Sequence, residues 1–129
     1  MTKLLLLASA AGLATTALAA PATYTIDSAH TYPSFEVPHM GVSWWRGKFA
    51  RTTGSVVLDK EARSGSVDIR VDTASIDFGH DKMDEHARSV DFFNVAEFPE
   101  ARYQGSLVFT GDVPTSVDGQ LTLLGLPSR

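Results

Sequence analysis

The chain has 129 residues, 43% of them hydrophobic and 20% charged, with a formal net charge of −4 and no cysteine. The negative balance without any basic run excludes a nucleic-acid partner, whose phosphates must be neutralised by Lys and Arg, and disfavours an anionic lipid surface. The missing cysteines exclude thiolate chemistry, disulfide staples and cysteine-ligated zinc, so the fold must rest on core burial within one domain's worth of chain.

Residues 1–19 read as a secretory signal peptide. Lys3 supplies the positive start, Leu4 to Leu18 is apolar and rich in small residues, and "ALAA" (Ala17 to Ala20) offers a cleavage site after Ala19. The apolar run is too short and too alanine-rich for a membrane span. The remaining residues, 20–129, form one domain with a periplasmic address.

From there the dominant pattern is alternation with period two. Tyr24 and Ile26 in "YTI" share a face, as do Phe35 and Val37 in "PSFEV". Asp27, Ser28 and His30 lie between these runs. Their side chains are of triad type, but a cluster this close in sequence after a strand makes turn hydrogen bonds, and no GxSxG elbow occurs. In "HMGVSWWRGKF" the adjacent Trp44 and Trp45 must point to opposite faces if the segment is extended. Either one is a core tryptophan and the other an edge aromatic, or one lines a cavity with Arg46 or Lys48 near its mouth, and the residues alone leave both readings open. "GSVVLD" puts Val56 and Leu58 on one face, "DKEARSG" is a hairpin connection, and "SVDIRVD" sets Val67, Ile69 and Val71 against Ser66, Asp68, Arg70 and Asp72.

One segment departs from the pattern. From Asp81 to Ser89 the charges bunch, and Met83, Ala87 and Val90 fall at helical spacing. Acids lie toward the start and Arg88 toward the end, which suits a helix dipole. Pro99 blocks any continuation. His80, Asp84 and His86 are the candidate metal or acid–base residues, since i,i+4 spacing presents two ligands to one ion. No third ligand follows from spacing, and the HExxH pattern is absent. The aromatics behind the helix, Phe92, Phe93 and Phe98, either complete the core or close an apolar cavity, and the residues alone leave both readings open.

Two further alternating runs follow: "YQGSLVF" with Tyr103, Leu107 and Phe109, and "VDGQLTL" with Val117, Leu121 and Leu123. A long connection, "TGDVPTSVDG" (Thr110 to Gly119), is expected between them. Strands with one dry and one wet face belong to antiparallel sheets. The expected fold is therefore all-β, an antiparallel sandwich or barrel of about six strands with one short helix.

"YTIDSAHTYPSFEVPHMGVSWWRGKF", "GSVDIRVDTASIDFGHDKMDEHARSVDFFNVAEFPEARYQG" and "VDGQLTLLG", in that order, resemble the YceI-like family of exported, polyisoprenoid-binding proteins. The resemblance runs from Tyr24 to Gly125. It implies a lipocalin-like barrel around an elongated apolar cavity that holds a long-chain isoprenoid or another amphiphilic lipid, with no cofactor, metal or catalytic step. Carried onto this chain, the lipid-binding set is Phe35, Val37, Trp44, Val56, Leu58, Val67, Ile69, Val71, Phe92, Phe93, Phe98, Leu107 and Leu121, with Trp44 and the three phenylalanines after the helix as cover and mouth. His30, His39 and Arg46 are the candidates for the lipid's polar headgroup. The family continues beyond the strand that here reads "LTLLGLPSR", and Leu124 stands where a histidine is usual. The chain thus reads as a partial barrel whose open sheet edges are free to pair two copies. The alternatives are a metal-dependent protein centred on His80, Asp84 and His86, or a shortened family member without binding activity.

Overall fold

The structure, a computed structural model, describes residues 20–128; the expected signal peptide lies outside them. Nine strands, one α-helix and one 3-10 turn make up two antiparallel sheets. The larger sheet has six strands in the order β1 (Ala22–Thr25), β4 (Thr52–Asp59), β5 (Ser64–Asp72), β7 (Glu100–Thr110), β8 (Val113–Leu123) and β9 (Leu126–Ser128). The smaller one runs β2 (Ser34–His39), β3 (Ser43–Phe49) and β6 (Ile76–Asp77). The sheets do not close into a barrel. The strands beyond the expected six include the shortest, β6 and β9, whose two or three residues carry no readable alternation.

Register follows the hydrophobic pattern. Val56 pairs with Val67, Ile69 with Tyr103, Tyr103 with Leu121 and Leu107 with Val117, so one face of the large sheet is apolar from β1 to β9. A one-residue slip would turn this whole set to the polar face, which is why the alternation fixes the pairing. On the polar face Arg102 donates to both carboxylate oxygens of Asp68, at 2.8 and 2.6 Å. Arg70 lies 3.4 Å from Glu100 on the same face. Gly105 and Gly119 oppose each other on the apolar face. Tyr103 lays its ring over Gly119, where an added Cβ would come within 2.7 Å of the ring.

The connection expected over Thr110 to Gly119 is much shorter. Gly111, with φ of 63°, and Asp112 make a tight turn, and Val113 to Gly119 belongs to β8. Pro114, which looked like a loop residue, sits at the edge of a bulge between Val108 and Phe109, where the ladder is interrupted.

The core lies in the smaller layer. Ile76 and Ala87 are 1% exposed and Phe49 is 8% exposed, and Phe35, Val71, Phe78 and Phe93 pack around them. The corner after β5 holds this layer in place. Asp72 caps the 3-10 turn (Thr73–Ser75) by accepting the Ala74 N–H, and Thr73 donates to the Phe98 carbonyl at 2.7 Å. Helix α1 (Asp81–Arg88) is tied down by Arg88, which donates to the carbonyls of Ala74 and Ile76 at 2.9 and 3.0 Å.

Candidate functional site

An apolar groove opens between the small sheet, helix α1 and the segment behind it, with a volume of about 360 Å³. Strand β2 contributes Phe35 and Val37, and β3 contributes Trp45 at the position paired with Val37. Phe78 enters from the turn before α1, Met83 and Ala87 from one face of the helix, and Phe92 and Phe93 from the turns after it. Pro38 and His39 complete the rim, and His39 alone among the lining residues carries a titratable group.

Local sequence explains the assembly. Alternation in β3 turns Trp45, Gly47 and Phe49 inward and Trp44, Arg46 and Lys48 outward. Gly47 is required where Phe35 crosses it: a Cβ there would lie 2.7 Å from the Phe35 ring and 2.9 Å from Phe78. Freed of that obstruction, Phe35 packs at 5.5 Å edge-on to Phe78 and at 5.6 Å to Phe49, while Phe49 meets Phe93 at 5.4 Å. Edge-to-face contacts of this kind fix ring orientation as well as filling space.

Helix α1 reaches the groove by means of two polar groups. The His80 Nδ1 accepts the Met83 N–H at 3.3 Å and so caps the helix, while its ring lies 5.9 Å from Trp45. Asp84, only 8% exposed, accepts the Phe78 N–H at 2.7 Å and holds Phe78 against the groove. His86 meets the Phe92 ring edge-on, with centroids 4.8 Å apart. The three residues considered as a metal or acid–base set are thus each engaged separately, and among the described residues no three His, Asp or Glu side chains converge on a point that would hold a metal ion.

The residues expected from sequence to touch ligand fall into four places. Phe35, Val37, Phe92, Phe93 and His39 line the groove. Val56, Leu58, Val67, Ile69, Val71, Leu107 and Leu121 share the apolar face of the large sheet, and Val71 links that face to the aromatic cluster. Phe98 sits beneath the β8–β9 turn, within 3.0 Å of the Cβ position of Gly125. Trp44, Arg46 and His30 lie outside the groove: Trp44 is 64% exposed, Arg46 pairs with Glu36 across the outer face at 2.6 Å, and His30 pairs with Asp27 at 2.7 Å in the loop after β1. The Glu36 carboxylate raises the Arg46 guanidinium above its ordinary pKa, chiefly through their hydrogen bond.

Trp45, Phe78, Met83 and Ala87 were not singled out as lining residues. The alternation through Phe49 carried the signal for Trp45, and the helical spacing of Met83 and Ala87 carried theirs. Phe78 had none, because its position depends on the Asp84 hydrogen bond.

The YceI-like domain matches residues 24–128. The chain belongs to the YceI-like family. It is 36% identical over 117 residues to a UPF0312 protein of Enterobacter sp. (strain 638) and 35% identical over 117 residues to protein YceI of Salmonella arizonae. Each match covers 88% of this chain and 61% of the relative, so the chain spans about three-fifths of the length of these curated relatives. Among solved structures it resembles BcnA of Burkholderia cenocepacia, with a TM-score of 0.67 and 23% identity over 80% of this chain and 65% of that one. It also resembles a domain from Saccharophagus degradans described as polyisoprenoid-binding and implicated in plant cell wall breakdown. There the TM-score is 0.53 and the identity 17%, over 82% of this chain and 57% of that one. These likenesses establish the family's all-β fold for this chain.

Proposed function

We propose that this YceI-like protein is an exported, non-enzymatic carrier that holds a long-chain isoprenoid or a similar amphiphilic lipid in its apolar interior, in the periplasm. The observation that carries the reading is the groove itself, lined by aromatic and aliphatic side chains with His39 at its rim. Its volume of about 360 Å³ lies in the range of small-molecule sites. The polyisoprenoid-binding description of the Saccharophagus relative supports the same ligand class. The leader-like residues 1–19 support export.

The energetics favour a long tail. Each buried methylene contributes about 0.8 kcal/mol, while association costs on the order of 4–15 kcal/mol, so a ligand of only a few carbons gains nothing. A tail that fills the groove and continues past Val71 along Ile69, Val67, Leu107 and Leu121 gains enough without any catalytic group. His39 is the proposed headgroup contact at the rim. Asp84 and His80 serve the fold rather than chemistry, by holding Phe78 and capping the helix.

Native mass spectrometry on protein purified from a bacterial periplasm without detergent tests the carrier reading. A folded species with a co-purifying lipid mass, released by organic solvent and weakened in Trp45→Ala, is the expected result. A folded protein that carries no adduct and takes up no added isoprenoid would sink it.

A further inference from the structure

The hairpin that joins β2 to β3 carries apolar side chains where a turn ordinarily has Asn, Asp or Gly. Met40 and Gly41 both adopt the left-handed conformation, with φ of 53° and 72°. Glycine tolerates this conformation, and an unbranched non-Gly residue without a short polar side chain rarely does. Met40 is 84% exposed and Val42 85% exposed, so neither turn geometry nor burial accounts for a methionine and a valine there. A Cβ added to Gly41 would meet nothing within 4 Å, which places the tip in open space. Trp44, next on the outer face, is 64% exposed.

The same hairpin supplies Val37 and Trp45 to the groove, and Phe92 at the groove's edge is 49% exposed. We propose that the β2–β3 hairpin is a membrane-docking element: Met40, Val42 and Trp44 enter the interfacial layer of a bilayer and bring the mouth of the groove to the lipid surface. This rests on the carrier reading and names the partner from which the ligand is taken or to which it is given. A bilayer, rather than a protein, is the occupant because a ligand with a long apolar tail resides in one. The side chains also suit it: Trp is an amphipathic ring at home at headgroup depth, and the stems of Arg46 and Lys48 behind it lie along the same face of β3. Arg46 faces Glu36 and Lys48 faces Asp77 at 3.7 Å, so this face is charge-balanced. Together with a net charge of −4, this selects a zwitterionic bilayer over an anionic one.

The test is flotation of the purified protein with phosphatidylcholine vesicles, with Trp45→Phe leaving Trp44 as the sole tryptophan reporter. The expected result is vesicle binding with a blue-shifted Trp44 emission that brominated acyl chains quench, insensitive to salt. In a Met40→Asp, Val42→Asp double variant of the native-tryptophan protein, vesicle affinity should fall about ten-fold or more. Uptake of the soluble apolar dye N-phenyl-1-naphthylamine should be unchanged, since neither residue lines the groove. Equal flotation of variant and parent would overturn the proposal. So would no binding of the parent to phosphatidylcholine, which would point to a protein partner, or binding only to anionic vesicles. Vesicle binding that depends on the tip in a protein that takes up no dye would uphold the docking element and count against the carrier reading instead.

Discussion

The two sheets divide strand length and burial between them in opposite ways. The six-stranded sheet has the long strands and most of the backbone pairing, broken by one bulge, yet Val67 and Ala101 are its only buried apolar residues among those described. The three-stranded sheet is short, but with the 3-10 turn and α1 it holds Phe49, Ile76, Ala87, Thr73, Ser75 and Asp84. Backbone pairing therefore defines the large sheet, and side-chain packing defines the small layer. Under the proposed carrier function, a partly covered face such as Leu58, Ile69 and Leu121 is where an apolar guest would lie, with the packed small layer as its wall.

The sharpest way to break this contrast is to truncate matched isoleucines. Ile76→Ala removes a side chain that is 1% exposed, from a two-residue strand held by its pairing with β3 and by Arg88 at the Ile76 carbonyl. The expected loss is about 2–5 kcal/mol by urea denaturation, the range for large-to-small changes in packed cores. Ile69→Ala, on the half-covered face of β5, should cost clearly less. Equal losses at the two sites would show that the large sheet is packed as tightly as the small layer, and the division would fall.

Gly47→Ala sharpens the same comparison by adding an atom. Its Cβ would lie 2.7 Å from Phe35 and 2.9 Å from Phe78, so the rings that wall the groove must move. Overpacking of this kind costs about 1–3 kcal/mol. Lipid or dye uptake should fall along with stability, because the same rings serve both. Unchanged uptake in a destabilised Gly47→Ala protein would mean that the guest does not touch this wall.

The legibility of the fold follows the same line. Period-two alternation is readable wherever strands are long, and it carries the apolar set of the large sheet from Val56 to Leu123. The helix was equally plain, because the charge order and the Met83–Ala87 spacing agree with each other. What alternation does not carry is where a tight turn begins. Pro114 and Ser116 read as loop because turn residues also populate a bulged strand, and only the pairing of Val108 with Ser116 shows otherwise. At the groove, the inward place of Trp45 is legible from its alternation with Phe49, whereas the place of Phe78 turns on a carboxylate six residues away. That is a contact between elements, which local patterns do not encode.

A smaller effect is expected at the helix cap. His80→Ala removes the side-chain acceptor for the Met83 N–H, which also donates to the His80 carbonyl at 2.9 Å, and the ring beside Trp45. Loss of a side-chain cap costs about 1 kcal/mol. His80→Asn should restore most of it, since asparagine caps well, and hydrogen exchange at Met83 would report the difference directly. If neither variant changes exchange there, α1 is held by Arg88 and Asp84 alone.

The smallest effect belongs to the polar face of the large sheet. The hydrogen bond from Arg102 holds the Asp68 carboxyl below its ordinary pKa of 3.8, and Asp68 in turn raises the Arg102 guanidinium. Because the folded pKa of Asp68 lies below the unfolded one, its contribution is fully present above the ordinary carboxylate range and is lost as pH falls through the folded value. Titration from pH 6 downward should therefore leave stability unchanged by this pair until pH drops below about 4. In Asp68→Asn that part of the acid slope should be absent. Both side chains remain about a third exposed, so solvent and salt screen the pair and the difference should be slight. A large difference would mean that the polar face, and not the small apolar layer, sets the stability of this protein.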